Sequence, residues 1–369
     1  MSGFPTAEIS ITPGRSGKTP PVAKQAGFSL IPFWAFAGLV LMAWAAGLPL
    51  GGSFATAAAA GLILIGGMPH GGHDLHMARR AYRLGPGMMA LLLAAYLGIA
   101  LAMLILWAVA PVAALAAFLL LSAIHFADDW RDTTAPIDVG RNAGDPQTSD
   151  RPLDGLLRFA AGLAVICAAA IGQRDAVSAL FVGMAGVDAI WIARIAVAAG
   201  PVVLLVAAVA ISQIWTSGAR QRAAAMAAAL LLLFITPPLI GFALFFALLH
   251  APRHMQDMQP LLPPAKATST LITGWSMAAL AVGLWMWIAP TLISGTQAFG
   301  QGGLFQLLSV VAMPHLACSY QLNRYLGSSQ EKGPERSLLP APNSLQQKAA
   351  IKRLQPPPDR PSGRGPSSW

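Results

Sequence analysis

Apolar residues in this chain come in long unbroken runs, and short polar stretches punctuate them. Windows such as Ile31 to Leu48, Met88 to Ala110 and Ile195 to Ile214 are apolar on every face, as helices surrounded by hydrocarbon are and amphipathic surface helices are not. Read in order, the runs predict spans over about 28–48, 54–77, 87–107, 111–130, 156–171 and 189–215, the last with a bend at Gly200-Pro201. Between the last two, Gln173 to Asp188 is weakly amphipathic and suits an interface. The stretch from Ala223 to Leu249 is broken by Thr236-Pro237-Pro238, which predicts two short spans or a re-entrant pair. Spans over about 270–293 and 304–325 complete an all-α polytopic transmembrane helical bundle of about 8 to 10 membrane segments.

The domain organisation follows: a flexible cytoplasmic N-terminal tail over 1–27, a transmembrane bundle over 28–326 that carries the chemistry, and a disordered basic C-terminal tail over 327–369. Composition agrees, since 55% of residues are hydrophobic and only 11% charged, against about 25% charged in soluble proteins. The net charge of +9 could suggest a nucleic-acid partner, but its placement excludes that reading. Arg79, Arg80, Arg83, Arg131, Arg141, Arg151, Arg220 and Arg222 fall in loops between spans, the positive-inside signature of a multi-pass protein of the cell inner (plasma) membrane with its N-terminus cytoplasmic. The first apolar run is longer than a signal-peptide core and reads as a retained anchor. Cys167 and Cys318 lie in apolar segments and read as small core residues.

Against this background the polar residues inside the runs stand out. Ionisable groups in a membrane segment are costly and face a protein interior or a polar cavity. Six of the 7 histidines (His70, His73, His76, His125, His250 and His254) lie at or near helix ends that the topology assigns to one side. His250 and His254 are four apart, a spacing that aims two helical imidazoles at one point, although Pro252 sits within the turn. His70 is followed by Asp74 and His125 by Asp129, so each candidate ligand has a carboxylate four residues on, placed to hold the far ring N–H. Neutral imidazole suits Fe, Zn and Cu, and no cysteine accompanies the set. His73 and His76 fit the interface near Arg79, whereas His315, after Pro314, stays open between supporting a ligand, touching substrate and packing. The aromatics Phe126, Phe242, Phe245, Phe246, Trp275, Trp285 and Trp287 read as core or membrane belt.

Pro69-His70-Gly71 with Asp74, Ser122 to His125-Phe126 with Asp129, His250 through Arg253-His254, and Pro314-His315 resemble, in order and approximate spacing, the Brp/Blh-type β-carotene 15,15′-dioxygenase family, membrane enzymes related to the bacteriorhodopsin-related protein. The resemblance covers about Ile31 to Tyr325. It departs in Ala127, where the family has glycine, and in the extra histidines of the second span. It implies a non-haem Fe(2+) held by His70, His125, His250 and His254, with Asp74 and Asp129 supporting ligands. The implied reaction is cleavage of the central double bond of β-carotene by O2 to give two retinal molecules. Substrate would enter from membrane lipid, and a retinal-binding rhodopsin is a candidate recipient of product.

Two other readings compete. A membrane di-iron desaturase or hydroxylase also combines apolar helices with histidine boxes, but such families carry more histidines and adjacent pairs, and this chain has none adjacent. A metal or solute transporter would line its path with histidines, yet transporters place broken helices at the midplane with repeat symmetry. Here the candidate ligands gather near one face.

Overall fold

The computed structural model describes residues 29–130, 152–261, 267–293 and 300–331. The expected N-terminal tail lies outside the described residues, as do residues 131–151 of the polar loop expected over 131–154, whose last three residues begin a helix. The expected C-terminal tail from 332 onward also lies outside them, the last helix running to Glu331, past the boundary expected at 326. Every regular element among the described residues is helical, and the fold is an all-α polytopic bundle.

In chain order the helices are α1 (Ile31–Ala45), α2 (Ser53–Gly61), α3 (Asp74–Tyr82), α4 (Pro86–Val109), α5 (Pro111–Phe126), α6 (Pro152–Gly172), α7 (Arg174–Ala185), α8 (Ile190–Thr216), α9 (Arg220–Ile235), α10 (Pro238–Phe245), α11 (Ala251–Asp257), α12 (Ala267–Leu292) and α13 (Gln301–Glu331). Seven helical stretches among the described residues are long and apolar enough to cross a membrane, whereas α1, with 15 residues, and α9, with 16, are shorter. Counting those short segments accounts for the higher expected number of spans.

Burial separates lining helices from central ones. Only 11% of the most apolar window of α4 is buried within the protein, against 61% for α13, so α13 forms the centre of the bundle and α4 its rim. Leu91, Leu97, Leu101 and Ile105 on α4, Trp191, Ile195, Val202 and Leu205 on α8, and Ile272, Leu280 and Trp287 on α12 present apolar side chains outward. An apolar surface of that extent belongs in lipid, not water.

Where lipid surrounds helices, small residues bring them together. A Cβ at Gly162 of α6 would sit 2.1 Å from the carbonyl oxygen of Ala123, so only glycine lets α6 cross the end of α5 this closely. Buried polar side chains pair across helices: Trp107 Nε1 donates to Ser309 Oγ at 2.6 Å, and Gln306 Nε2 donates to the Met184 carbonyl at 2.9 Å. These bonds tie α4 and α7 to α13. The expected interfacial segment is α7, whose Val177, Phe181 and Met184 are buried against the bundle. Helix α8 continues through Pro201.

At Thr236-Pro237 the chain does break. Thr236 takes extended angles (φ −107°, ψ 160°), as a residue before proline must, and its hydroxyl donates to the Leu232 carbonyl at 2.6 Å. Pro238 then starts α10 at a position where its missing N–H is harmless. A Cβ at Gly241 would lie 2.8 Å from Cα of Leu233, so α10 folds back onto α9. The two-segment reading of this stretch is the one observed.

Candidate metal centre

Helix irregularities supply the site. After α2 the backbone widens into a π-helical turn over Leu62–Gly67, tightens into a 3₁₀ turn over Met68–His73, and only then resumes as α3. Gly66-Gly67 and Pro69 explain the change: proline removes a backbone donor, and the glycines let another segment approach. A Cβ at Gly67 would lie 2.3 Å from the Phe246 ring. Phe246–His250 is itself a π-helical turn leading into α11. Pro252, whose ring crowds the carbonyl four residues back, accounts for the widening there. The end of α5 winds into a 3₁₀ turn over Ala127–Trp130.

These turns, with α5, α11 and α13, bring five buried imidazoles together: His70, His125, His250, His254 and His315. Ring centroids of His70 and His315 are 4.7 Å apart, as are those of His125 and His250. His254 lies 5.4 Å from both His70 and His125, and 5.1 Å from His315. His73 is buried but lies against Gly274 of α12, and His76 is exposed. Of the aromatics, Phe246 stacks on His250 and Phe126 meets it edge-on at 5.0 Å, whereas Trp275 and Trp287 are exposed.

The carboxylates are present, but their partners differ from those expected. Asp74 does not serve His70; it accepts from His315 Nδ1 at 2.8 Å, with Tyr96 OH donating to it at 3.1 Å. Asp129 does not serve His125; it accepts from His250 Nδ1 at 2.7 Å. Four residues turn about 40° in an α-helix but about 120° in a 3₁₀ turn, so each Asp points away from its sequence neighbour and toward another helix. Arg222 donates to the Asp129 backbone carbonyl, and Arg253 Nε lies 3.9 Å from its carboxylate. His70 donates its Nδ1–H to the Gly67 carbonyl at 2.5 Å.

Sequence reasoning left His315 open and passed over Tyr96. A histidine after proline in an apolar run was the available signal for the first, and a lone tyrosine in a lipid-facing helix offers none.

Residues 60–323 match the family model for beta-carotene 15,15'-dioxygenase. The chain belongs to the beta-carotene 15,15'-dioxygenase family. The matched region contains all five clustered histidines together with Asp74 and Asp129. No curated protein and no solved structure matches the chain.

A family of dioxygenases implies a metal cofactor, and the donor set fits one. His70, His125 and His250 offer nitrogen atoms all within 4.8 Å of one another and could hold a metal ion. The tautomers agree. An ionised carboxylate and a carbonyl only accept, so His70, His250 and His315 each carry hydrogen on Nδ1, which leaves Nε2 as the nitrogen that can ligate. His70 Nε2 and His315 Nε2 face each other at 3.1 Å. Two lone pairs at that distance repel unless a cation lies between them. Nε2 of His125 and of His250 are likewise buried without a hydrogen-bond partner, and a single proton cannot serve all four.

Apolar space adjoins the histidines. The pocket they line is walled by Phe118, Ser122, Phe126 and Phe242, and the same four residues wall a second chamber reaching Leu115, Phe181, Met184 and Phe305. In a beta-carotene 15,15'-dioxygenase family member, this places an apolar container beside a cluster of groups that could hold a metal.

Proposed function

We propose that this chain cleaves the central 15,15′ double bond of β-carotene with O2, one oxygen atom going to each carbon, to give two molecules of retinal. The site we assign to the reaction is a ferrous ion held by His70, His125, His250 and His254. The observation that carries the reading is the convergence of buried imidazoles from four separate segments within the region matched to the family. Imidazole without thiolate suits ferrous iron and leaves positions open for a small molecule. When bound, iron would supply the redox chemistry with O2 that no side chain provides.

The rest falls to the chain's own residues. Asp129 holds the His250 ring by its Nδ1–H, and the Gly67 carbonyl holds His70. Phe118, Phe126, Phe242 and Phe246 cover the histidine pocket with rings, which excludes bulk water and offers a polyene flat apolar surfaces. A carotene is about as long as the hydrocarbon core is thick, about 30 Å, and reaches such a pocket from lipid. We further place the protein in the inner (plasma) membrane with its N-terminus cytoplasmic, on the side of Arg79, Arg80 and Arg83.

Expression in a bacterium that makes β-carotene tests the reaction. Orange pigment should be lost and retinal should accumulate in extracts. Unchanged pigment, with the protein present in membranes and iron supplied, would overturn the assignment.

A further inference from the structure

We propose that His315 is a fifth imidazole on the same metal ion, positioned by Asp74 with Tyr96 behind it. The inference rests on the metal-centre reading of the site and adds to it a ligand from the central helix α13.

Its Nε2 lies 3.1 Å from Nε2 of His70, and its Nδ1 lies 2.8 and 3.0 Å from the two carboxylate oxygens of Asp74. A ring that served only to pack helices would find a partner for each nitrogen. Here the second nitrogen meets the bare nitrogen of another imidazole. Its other polar neighbour, the Ser319 hydroxyl, stands 3.5 Å away, at the outer limit of a hydrogen bond. The arrangement repeats that of His250, where Asp129 holds Nδ1 and Nε2 has no partner. Carboxylate, imidazole and metal in line is the recurring way proteins fix a ligating histidine.

Charge supports the same conclusion. Asp74 is 1% exposed, and among the described residues it pairs with no Lys or Arg. Its charge is met by the His315 ring, and a buried charge left unpaired is strongly destabilising. A cation on the far side of the His315 ring supplies positive charge to that pairing through the imidazole. Backbone shape agrees too, since Gly71 leaves the space into which the ring fits: a Cβ there would stand 3.3 Å from Nδ1 of His315.

A fifth imidazole leaves one fewer position for a small molecule. The polyene, which has no ligand atom, then binds to the aromatic walls alone.

The test is cobalt binding to the full-length protein in detergent, after chelator treatment, followed by uptake and by the visible ligand-field absorption. Wild type should bind Co(2+). His315→Gln should bind it at least about tenfold more weakly with altered absorption bands, and Asp74→Asn, which keeps the ring but frees it, about ten- to a hundredfold more weakly. His76→Gln should match wild type. Wild type failing to take up cobalt would sink the metal-centre reading itself, whatever the variants do. Wild type that binds, beside His315→Gln and Asp74→Asn variants that bind equally tightly, would overturn only the fifth ligand. Weaker uptake by His315→Gln with unchanged bands would overturn it as well, because a ring that merely packs does not enter the metal's spectrum. Should His315→Gln not fold, Asp74→Asn decides on affinity alone: wild-type affinity overturns the proposal, and the stated loss supports it.

Discussion

At the scale of single residues, four of the five clustered imidazoles divide by what holds them. His70 is fixed by a backbone carbonyl, His250 and His315 by carboxylates, and His254 has a serine hydroxyl at 3.5 Å. Removing a ligand leaves the others short of a donor, so purified His250→Ala and His254→Ala are each expected to lose their iron. His76→Ala, at an exposed position, is expected to retain it. Metal analysis of the three proteins checks this, and equal iron in all of them would refute the ligand assignment. Asp129→Asn keeps the shape but turns a strong acceptor into a group that can donate, freeing the His250 ring. It should lower metal affinity by about ten- to a hundredfold, read as the chelator concentration that strips half the iron. Residue types were legible in advance, since histidine and aspartate inside apolar runs advertise themselves. The pairing was not legible, because four-residue spacing implies a shared face only where the helix is regular, and at Asp74 and Asp129 it is not.

At the scale of elements, those irregularities create the site. A regular α-helix through 62–73 would turn His70 to a different angle, whereas the π and 3₁₀ turns set its ring so that Nδ1 reaches the Gly67 carbonyl. Glycine sets the spacing of the pieces. Gly67→Ala forces the Phe246 ring, which stacks on His250, to move. Overpacking of this kind typically costs about 1–3 kcal/mol, so the variant should melt earlier in detergent and hold metal less tightly. Gly162→Ala meets backbone that cannot swing aside, the Ala123 carbonyl, and should lower the melting temperature at least as much. Equal melting of both variants and wild type would contradict the close packing described here. Spans were readable because hydrocarbon demands uninterrupted apolar length, and the break at Thr236 was readable because proline cannot continue a helix. The turn types around His70 and His250 were not, as they depend on which distant helix packs against each glycine.

At the scale of the whole molecule, the bundle encloses apolar space whose lining is polar only near the histidines. The histidine pocket and the apolar chamber beside it share Phe118, Ser122, Phe126 and Phe242, so whatever extends from the histidines into the chamber must pass those four side chains. Ser122 is the smallest of them, is buried, and lies on α5 one turn before His125. Replacing it by phenylalanine narrows the passage without removing a candidate ligand or either carboxylate. A substrate long enough to occupy both spaces should then be excluded while the metal stays. Ser122→Phe is therefore expected to retain iron at the wild-type level but to form retinal at least about tenfold more slowly, a loss of about 1.4 kcal/mol or more in transition-state stabilisation. Ser122→Ala, which widens the passage slightly, should stay close to wild type. If Ser122→Phe kept both its iron and its full rate of pigment cleavage, the chamber would play no part in holding substrate, and the polyene would have to approach the histidines from the opposite wall, past Met68 and Leu316.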